Sequence, residues 1–525
     1  MRTQSKIGLF LAVTSFVIGL SALNARAFSL LGPYELWMEE TNGLRQPGSI
    51  YLPSYYPASL EPADIGGPMC ISNEYRWNVP VVTYGFDKSF LDYFGTNGVA
   101  AVEGAIQILN TLPPVSQIAL SNFPLDSQQV NYTAQAQNLL DLKSMTLSLL
   151  LEQMGLAQPT RHVFVLKQWT SALIPPDSNG YSSALYWEDW AIPDFIVQRN
   201  FDPQTFNASP YVNDTLYTAD IVFESNGQNY METFPVDPLA PSYPAVADEN
   251  WVSGGFYTGL TYDDVGGLCY LLSTNNVNCE ALLPGVFGVG TNANSFVNGA
   301  WRPGVDKITF VPQSVDSLTG AFLPMTNQFA DTYITNGILM QQQLARVISQ
   351  PDFLFSAKDF KEITSSPDVS RTGTTNWINN AALNGNPTGA GPGVIQPPIT
   401  IAFNIAGRQF WHDGSMPDES VYDETFLWGT FDGSANAPVV YPVPSTGTNQ
   451  MTFRMLLQMG SYSSGIQRNF EWPLDSSAGS LYNFQTSTNL SNWVTLFVVT
   501  NNGAVCDFFN WNPSSAQRFY RIVPQ

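Results

Sequence analysis

Histidine is almost missing from this chain, with two in 525 residues. Cysteine is also sparse. There are four (Cys70, Cys269, Cys279 and Cys506), and no two stand as Cys-x-x-Cys. Zinc and haem sites are built from imidazoles and thiolates at short spacings, so the usual protein-held metal centre lacks its raw material. Neither a metal nor a cofactor is expected. Charge is scarce too. Only 12% of residues are charged, and acids outnumber bases 43 to 21, which leaves a formal charge of −22. A surface of that sign is not drawn to nucleic acid or to anionic lipid, so nucleic acid is not expected as a partner. Past the opening residues no run of ~18 uncharged apolar residues occurs, so no transmembrane segment is expected in the processed chain.

The opening residues have a purpose of their own. In MRTQSKIGLFLAVTSFVIGLSALNARAFSLLGP, Arg2 and Lys6 make a short basic start. Ile7 to Leu23 is apolar apart from small Ser, Thr and Gly residues, and Ala25-Arg26-Ala27 is a small-x-small site. That is the layout of a secretory signal peptide, expected over residues 1–27 with cleavage after Ala27. A membrane anchor would need a longer apolar run and no cleavage site directly behind it. The cut removes three cations and no acid, and takes the formal charge from −22 to −25. The expected location is therefore extracellular or at the cell surface. Export permits disulfides. Cys269 and Cys279, ten residues apart, could close a loop, although four cysteines allow three pairings.

Abundant Asn, Thr, Ser, Gly and aromatic residues suit a β-rich extracellular protein. The expected fold class is multidomain, an α+β N-terminal region followed by all-β, sandwich-like C-terminal domains. An α+β domain is placed at 28–380, a Gly/Pro-rich linker at 381–398 (its clearest part NGNPTGAGPGVIQPP, 384–398), a β domain at 399–472 and a small β-module at 473–525. Residues 28–68 read as an extended lead-in. VPVVTYGF (79–86) reads as a strand. A helix follows over 98–111 with Val99, Val102, Ile106 and Leu109 on one face. Residues 138–156 read as a buried helix that is apolar nearly all round, and 261–275 begin as a helix with Asp263 and Asp264 in the first turn. Another helix is expected over roughly 326–348, ending before Pro351.

LSLLLEQMGLAQPTRH (147–162) has the outline of a zinc-protease helix: an apolar run, a glycine where it stops, and a histidine soon after. The order of VVTYGFDKSF with its helix, LSLLLEQMGL, and then LTYDDVGGLCYLL (260–272) resembles the matrixin branch of the metzincins. The resemblance implies an HExxHxxGxxH helix, yet with Gly155 as its glycine the motif falls on Ser148, Leu149, Glu152 and Gln158. Zinc hydrolysis needs imidazoles for the metal and a carboxylate for its water, so the resemblance implies a degenerate, catalytically inactive core. The plainer reading is a core helix with Gly155 at its C-cap. Near the end, LYNFQTSTNLSNWVTL and QRFYRIVP resemble the short C-terminal β-modules of many secreted bacterial proteins, with a Thr-Asn-Leu-x-x-Trp core and an Arg-Phe-Tyr-Arg end. That likeness implies attachment, sorting or a structural appendage, and no reaction.

LYWEDWAIPDF (185–195) is the candidate ligand site. It sets Glu188 and Asp189 between Trp187 and Trp190, aromatic faces that can stack on sugar rings. Adjacent carboxylates on a strand point to opposite sides, so they would not flank one glycosidic bond together. His412 stands beside Asp413 without a GxSxG elbow, which leaves no triad to name. No catalytic residue is assigned. The expected function is a non-enzymatic structural or surface-interaction protein, acting by self-association or by binding extracellular polysaccharide. A secreted glycan hydrolase is the second reading and an inactive metzincin-like peptide binder the third.

Overall fold

The protein is described here by a computed structural model that covers residues 26–33, 35, 66–167, 196–223, 229–241, 243–248, 252–316, 318–358, 370–373, 377–387, 389, 391–405, 407–411, 422–442, 469–472, 481–487, 491–500, 506–509 and 519–524. It is sheet-rich, with several separate sheets and five α-helices among the described residues. In chain order the elements that build the core and the site are β1 (Phe28–Gly32), β2 (Val81–Phe86), α1 (Lys88–Thr111), α2 (Leu142–Gln153), α3 (Tyr262–Leu272), β3 (Val277–Glu280), β4 (Ala300–Pro303), β5 (Thr309–Pro312), β6 (Met325–Thr335), β7 (Ile338–Ile348), β8 (Phe353–Lys358), β9 (Ser370–Gly373) and β10 (Ile399–Asn404).

The central sheet runs β5-β2-β8-β10-β9, parallel except for β9 at one edge. Parallel strands need both faces covered. Their residues accordingly read as apolar runs, and Phe353, Phe355, Ile399, Ile401 and Phe403 are all fully buried. α1 lies against this sheet and α2 packs on α1. Asp87 caps α1 by accepting from the Phe90 N–H at 2.9 Å, and Asp141 caps α2 through Ser144 N–H at 2.8 Å. The expected face of α1 holds: Val102, Ile106 and Leu109 are buried and Val99 packs partly against them. The helix starts earlier than its periodicity suggests. Gly95, at φ +59°, interrupts it, and the turns before the break carry Phe90 and Phe94 into the core.

α2 ends where the sequence puts it. Gly155 sits at φ +108°, and a Cβ there would stand 2.3 Å from the Tyr75 carbonyl oxygen, so only glycine fits. β1, at the head of the expected lead-in, is a buried strand. It pairs with Leu156–Ala157 on one side and with Gly67–Met69 and Asn200–Phe201 on the other.

The helix expected over 326–348 is a hairpin instead. β6 and β7 pair from Met325↔Ile348 to Thr335↔Ile338. Asn336 (φ 51°) and Gly337 (φ 74°) make the two-residue turn with positive φ at both positions that Asn-Gly favours. The period of burial is two, with Phe329, Asp331 and Tyr333 inside. Alternation and the Asn-Gly turn outweigh the helix-friendly Gln-Gln-Gln-Leu-Ala-Arg composition.

The run 384–398 is not a free connection. Gly393–Ile395 pair with Trp377–Asn379 and, in parallel, with Tyr75–Arg76, and Val394 and Ile395 are buried. Beyond it β10 joins the central sheet, and the strand Tyr422–Thr430 pairs through Leu427–Gly429 with Leu139–Asp141. Trp428 packs edge-on to Phe403 at 5.3 Å, and its indole N–H donates to the Asn404 carbonyl at 2.7 Å. Residues on both sides of the expected 381–398 boundary thus share one core. At the C-terminal end, Val494–Thr500, Leu481–Ser487 and Phe519–Pro524 form an antiparallel sheet with the middle segment at its centre. The two ends of the module's signature meet there, with the Arg521 guanidinium 4.2 Å from the centre of the Trp493 ring.

Candidate functional site

β3 and β4 pair antiparallel, with Cys279 opposite Trp301 and Asn278 opposite Arg302. Neighbours on a strand point to opposite faces, so β4 sends Arg302 inward and Trp301 outward. Arg302 is 2% exposed. It donates to both oxygens of Asp331 (2.9 and 3.2 Å) and to the carbonyls of Glu280, Asn298 and Val297. Beside it, Arg76 Nε meets Glu280 Oε1 at 2.6 Å, and Arg76 Nη1 and Nη2 donate to the Asn276 and Arg302 carbonyls. A third buried pair, Arg346 with Asp352, anchors the end of β7, and Asp352 also accepts from the Thr83 N–H. Burial pushes the Glu280 carboxyl up, and Arg76 opposes it. Such pairs add little net stability over apolar packing, but breaking one strands a charge. They hold the strands above them in one geometry.

Above these pairs opens a cavity of about 410 Å³, bounded by β3, β4, the turn at 72–73 and the loop 381–392. The side chains that matter are four amides, Asn73, Asn278, Asn384 and Asn386, and the Trp301 indole, which is 49% exposed. No charged residue lines it among the described residues. Of these amides Asn278 is held from below. Asn278 donates to Glu74 Oε1 at 3.1 Å, Asn276 donates to the same oxygen at 2.8 Å, and the Tyr270 hydroxyl donates to Glu74 Oε2 at 3.2 Å. Ser72, at φ +72°, turns its N–H to the Tyr270 hydroxyl at 2.9 Å. At the far wall Asn386 Oδ1 accepts from the Gly389 N–H. Each amide carries donors and an acceptor, and the indole offers an apolar face. The arrangement can bind a neutral, hydroxyl-rich ring.

A second polar region lies at the start of α3, where Asp263 and Asp264 are wholly buried. Thr261 and Asp264 form a capping box, and Asp264 also accepts from the Val246 and Ala247 N–H groups. Asp248 accepts from the N–H and hydroxyl of Thr160. Burial raises the Asp248 carboxyl to about 7 against those hydrogen bonds, and raises Asp141 to about 6 against the Ser144 hydrogen bonds. His162, also buried, is pushed well below its usual range by desolvation and by Arg161. The space here is small, a cavity of about 10 Å³.

Trp187, Glu188, Asp189 and Trp190 lie outside the described residues, as do His412 and Asp413. Cys269 and Cys279 are free thiols, not a bridge. Cys269 rides on α3, while Cys279 on β3 turns its Sγ to the Leu383 carbonyl at 3.5 Å. Of the motif positions on α2, Ser148 is buried and donates to the Ser144 carbonyl, and Leu149 belongs to the core. Among the described residues no three His, Cys, Asp or Glu side chains group to hold a metal. α2 packs on α1 while α3 packs on β1, and Leu271 of α3 lies near Gly155 just past the end of α2. Sequence reasoning missed the cleft because its walls come from residues 72–73, 277–301 and 381–392. The one local hint is Trp301 in NGAWRPG, a lone tryptophan between turn residues. No family model matches the chain, and neither a curated protein nor a solved structure does.

Proposed function

We propose that this chain is an exported, non-catalytic protein that binds a neutral extracellular polysaccharide in the cleft beneath Trp301. The observation that carries the reading is a cleft lined by a half-exposed tryptophan and four asparagines, with no charged group in the lining. Sugar hydroxyls pair with amides, and the C–H face of a pyranose stacks on an aromatic ring. Glycoside hydrolysis calls for two carboxyls roughly 5–10 Å apart flanking the bond. Glu74, the acid that Asn278 bonds, is buried and accepts from Asn276, Asn278 and Tyr270. That supports binding over cleavage at this place.

The test is affinity electrophoresis through gels holding xylan, glucomannan or laminarin. The protein should be retarded by at least one of them, and Trp301→Ala should weaken retardation about 10-fold, worth about 1.4 kcal/mol. A Trp187→Ala/Trp190→Ala variant run alongside compares the other aromatic pair. Equal retardation of Trp301→Ala and the parent would remove the cleft from the reading.

A second observation favours self-association. Ile338, Leu339 and Met340 at the hairpin end are 61%, 63% and 41% exposed, an apolar tip of the kind proteins use in contacts. Light scattering after size exclusion separates the two: assemblies that Leu339→Asp disperses favour association, and a monomer favours the cleft alone.

A further inference from the structure

The cleft stands at one margin of an open sheet face. β3, β4, β6 and β7 lie side by side in that order, and the strand Val286–Gly288 completes the five-stranded antiparallel sheet beyond β7. Residues opposite one another across strands share a face, and neighbours along a strand alternate. Arg302, Asp331, Gln342 and Leu344 are buried on the inner face. Register then fixes the outer face. Trp301 stands opposite Ile334, and Ile334 opposite Leu339. Further along, Thr332 pairs with Gln341 and Ala330 with Gln343. Gln328 pairs with Ala345, and Ala345 with Phe287 on the outermost strand.

The loop 381–392 closes over this face at β3, where the Cys279 Sγ reaches the Leu383 carbonyl at 3.5 Å. Past Trp301 the face is open. Gln328, Gln341 and Gln343 are exposed and Thr332 is half-buried. Trp301 and Phe287 mark its two ends, 49% and 41% exposed. They are separated by three strand spacings and six residues along β6, which in a flat sheet is roughly 25 Å, the reach of a chain of about five pyranose rings. No outward-facing residue of these strands is charged, in a chain that carries 43 acids. The polarity of the face also points to a type of partner. Protein–protein contacts put apolar residues at the centre and polar ones at the rim. Here glutamine amides and a threonine hydroxyl hold the centre, and aromatic and aliphatic residues hold the ends. Amides and hydroxyls pair with sugar hydroxyls, and aromatic rings take the C–H faces of pyranoses.

We infer that the cleft is one end of a path across this outer face, running from Trp301 over Thr332, Gln341 and Gln343 to Phe287, and that its ligand is an extended internal stretch of neutral polysaccharide. The inference rests on the reading of the cleft as a glycan site. It adds the length of chain that is held: a chain end or a short sugar fills the Trp301 end and leaves Phe287 untouched.

The test is isothermal titration of the exported protein with xylo-, manno- and laminari-oligosaccharides of three and six rings. For at least one sugar the hexasaccharide should bind about 10-fold or more tightly than the trisaccharide, because it alone reaches a second aromatic ring. Phe287→Ala should weaken hexasaccharide binding about 10-fold and leave the trisaccharide unchanged, while Trp301→Ala should weaken both. Thr332→Arg, on the exposed side of β6, should bring the hexasaccharide to the affinity of the trisaccharide and serves if Phe287→Ala folds poorly. Equal binding of the two lengths, or a hexasaccharide indifferent to both Phe287→Ala and Thr332→Arg, overturns the path and leaves the cleft reading standing. Binding of no oligosaccharide and no polymer overturns both. Light scattering covers the remaining occupant: a dimer that Thr332→Arg disperses assigns the face to a second copy of the chain and also overturns the inference.

Discussion

Two regions of this molecule bury charge in opposite ways. Near the cleft the buried acids have an arginine or a set of amides: Glu280 with Arg76, Asp331 with Arg302, and Glu74 with Asn276 and Asn278. Around α2 and the start of α3, Asp141, Asp248 and Asp264 are buried on backbone N–H groups and hydroxyls. A guanidinium cancels the charge itself and fixes direction through its planar fork. Hydrogen bonds from N–H and hydroxyl groups offset only part of the desolvation, so those carboxyls rise toward neutrality. The first region fixes the direction of its groups through planar ion pairs, which suits a binding cleft. The second responds to pH.

The largest effect comes from breaking a pair. Arg302→Met leaves Asp331 buried without its cation and removes a donor from the Glu280, Asn298 and Val297 carbonyls. It should cost about 3–5 kcal/mol in urea unfolding and abolish glycan retardation with it. A stable, binding-competent Arg302→Met protein would show that the paired network does not set the cleft.

The acids without cations are tested through pH. Folded Asp141 is raised to about 6 and Asp248 to about 7, above the ordinary value of 3.8. The folded state therefore holds more protons than the unfolded one between these values. The stability they confer is fully present below about pH 4 and is lost as pH rises through 6 and 7. Asp141→Asn keeps the cap and removes the titration. It should flatten that part of the stability–pH curve, and at pH 8 it should stand on the order of 2 kcal/mol better, relative to its own pH 4 value, than the parent does. An unchanged slope in Asp141→Asn would refute the assignment to Asp141.

The smallest effect is on the surface. Lys88 and Asp92 form an i,i+4 pair at 2.7 Å on α1, with side chains 86% and 61% exposed. Lys88→Ala should change unfolding free energy by less than about 0.5 kcal/mol, and less still in high salt. A larger loss would mean that burial is not what separates strong pairs from weak ones here.

The three long helices were legible because each is announced locally. Asp87, Asp141 and Thr261 sit at the N-caps, Gly155 stops α2, and Val102, Ile106 and Leu109 repeat at helical spacing. The hairpin over 325–348 was legible as well, in Asn336-Gly337 and in the alternation of Phe329, Asp331 and Tyr333, but its helix-forming composition spoke louder. The run around Gly393–Ile395 looks like a linker because its glycines and prolines break regular structure. Gly393 is instead small where Tyr75 comes close, with a Cβ there placed 2.5 Å from the Tyr75 ring. Nothing local separates a glycine that frees a chain from one that lets two strands touch. The buried arginines were invisible for a related reason. Arg76 and Arg302 stand beside aromatic residues and Arg346 between Ala345 and Val347, and only the partner acids, up to 204 residues away in sequence, make their burial tolerable.

The sequence by itself determined the helices, their caps and stops, the apolar strands of the central sheet, the small C-terminal sheet, and a composition with little histidine, cysteine or positive charge. Those follow from periodicity, side-chain chemistry and φ preferences, all of which act over a few residues. The tertiary structure alone decided that segments near 73, 278, 301 and 385 face one another as a cleft. It also decided that Arg76, Arg302 and Arg346 are buried against paired acids. Contacts across hundreds of residues are set by which apolar faces bury against which, and no local pattern records that choice.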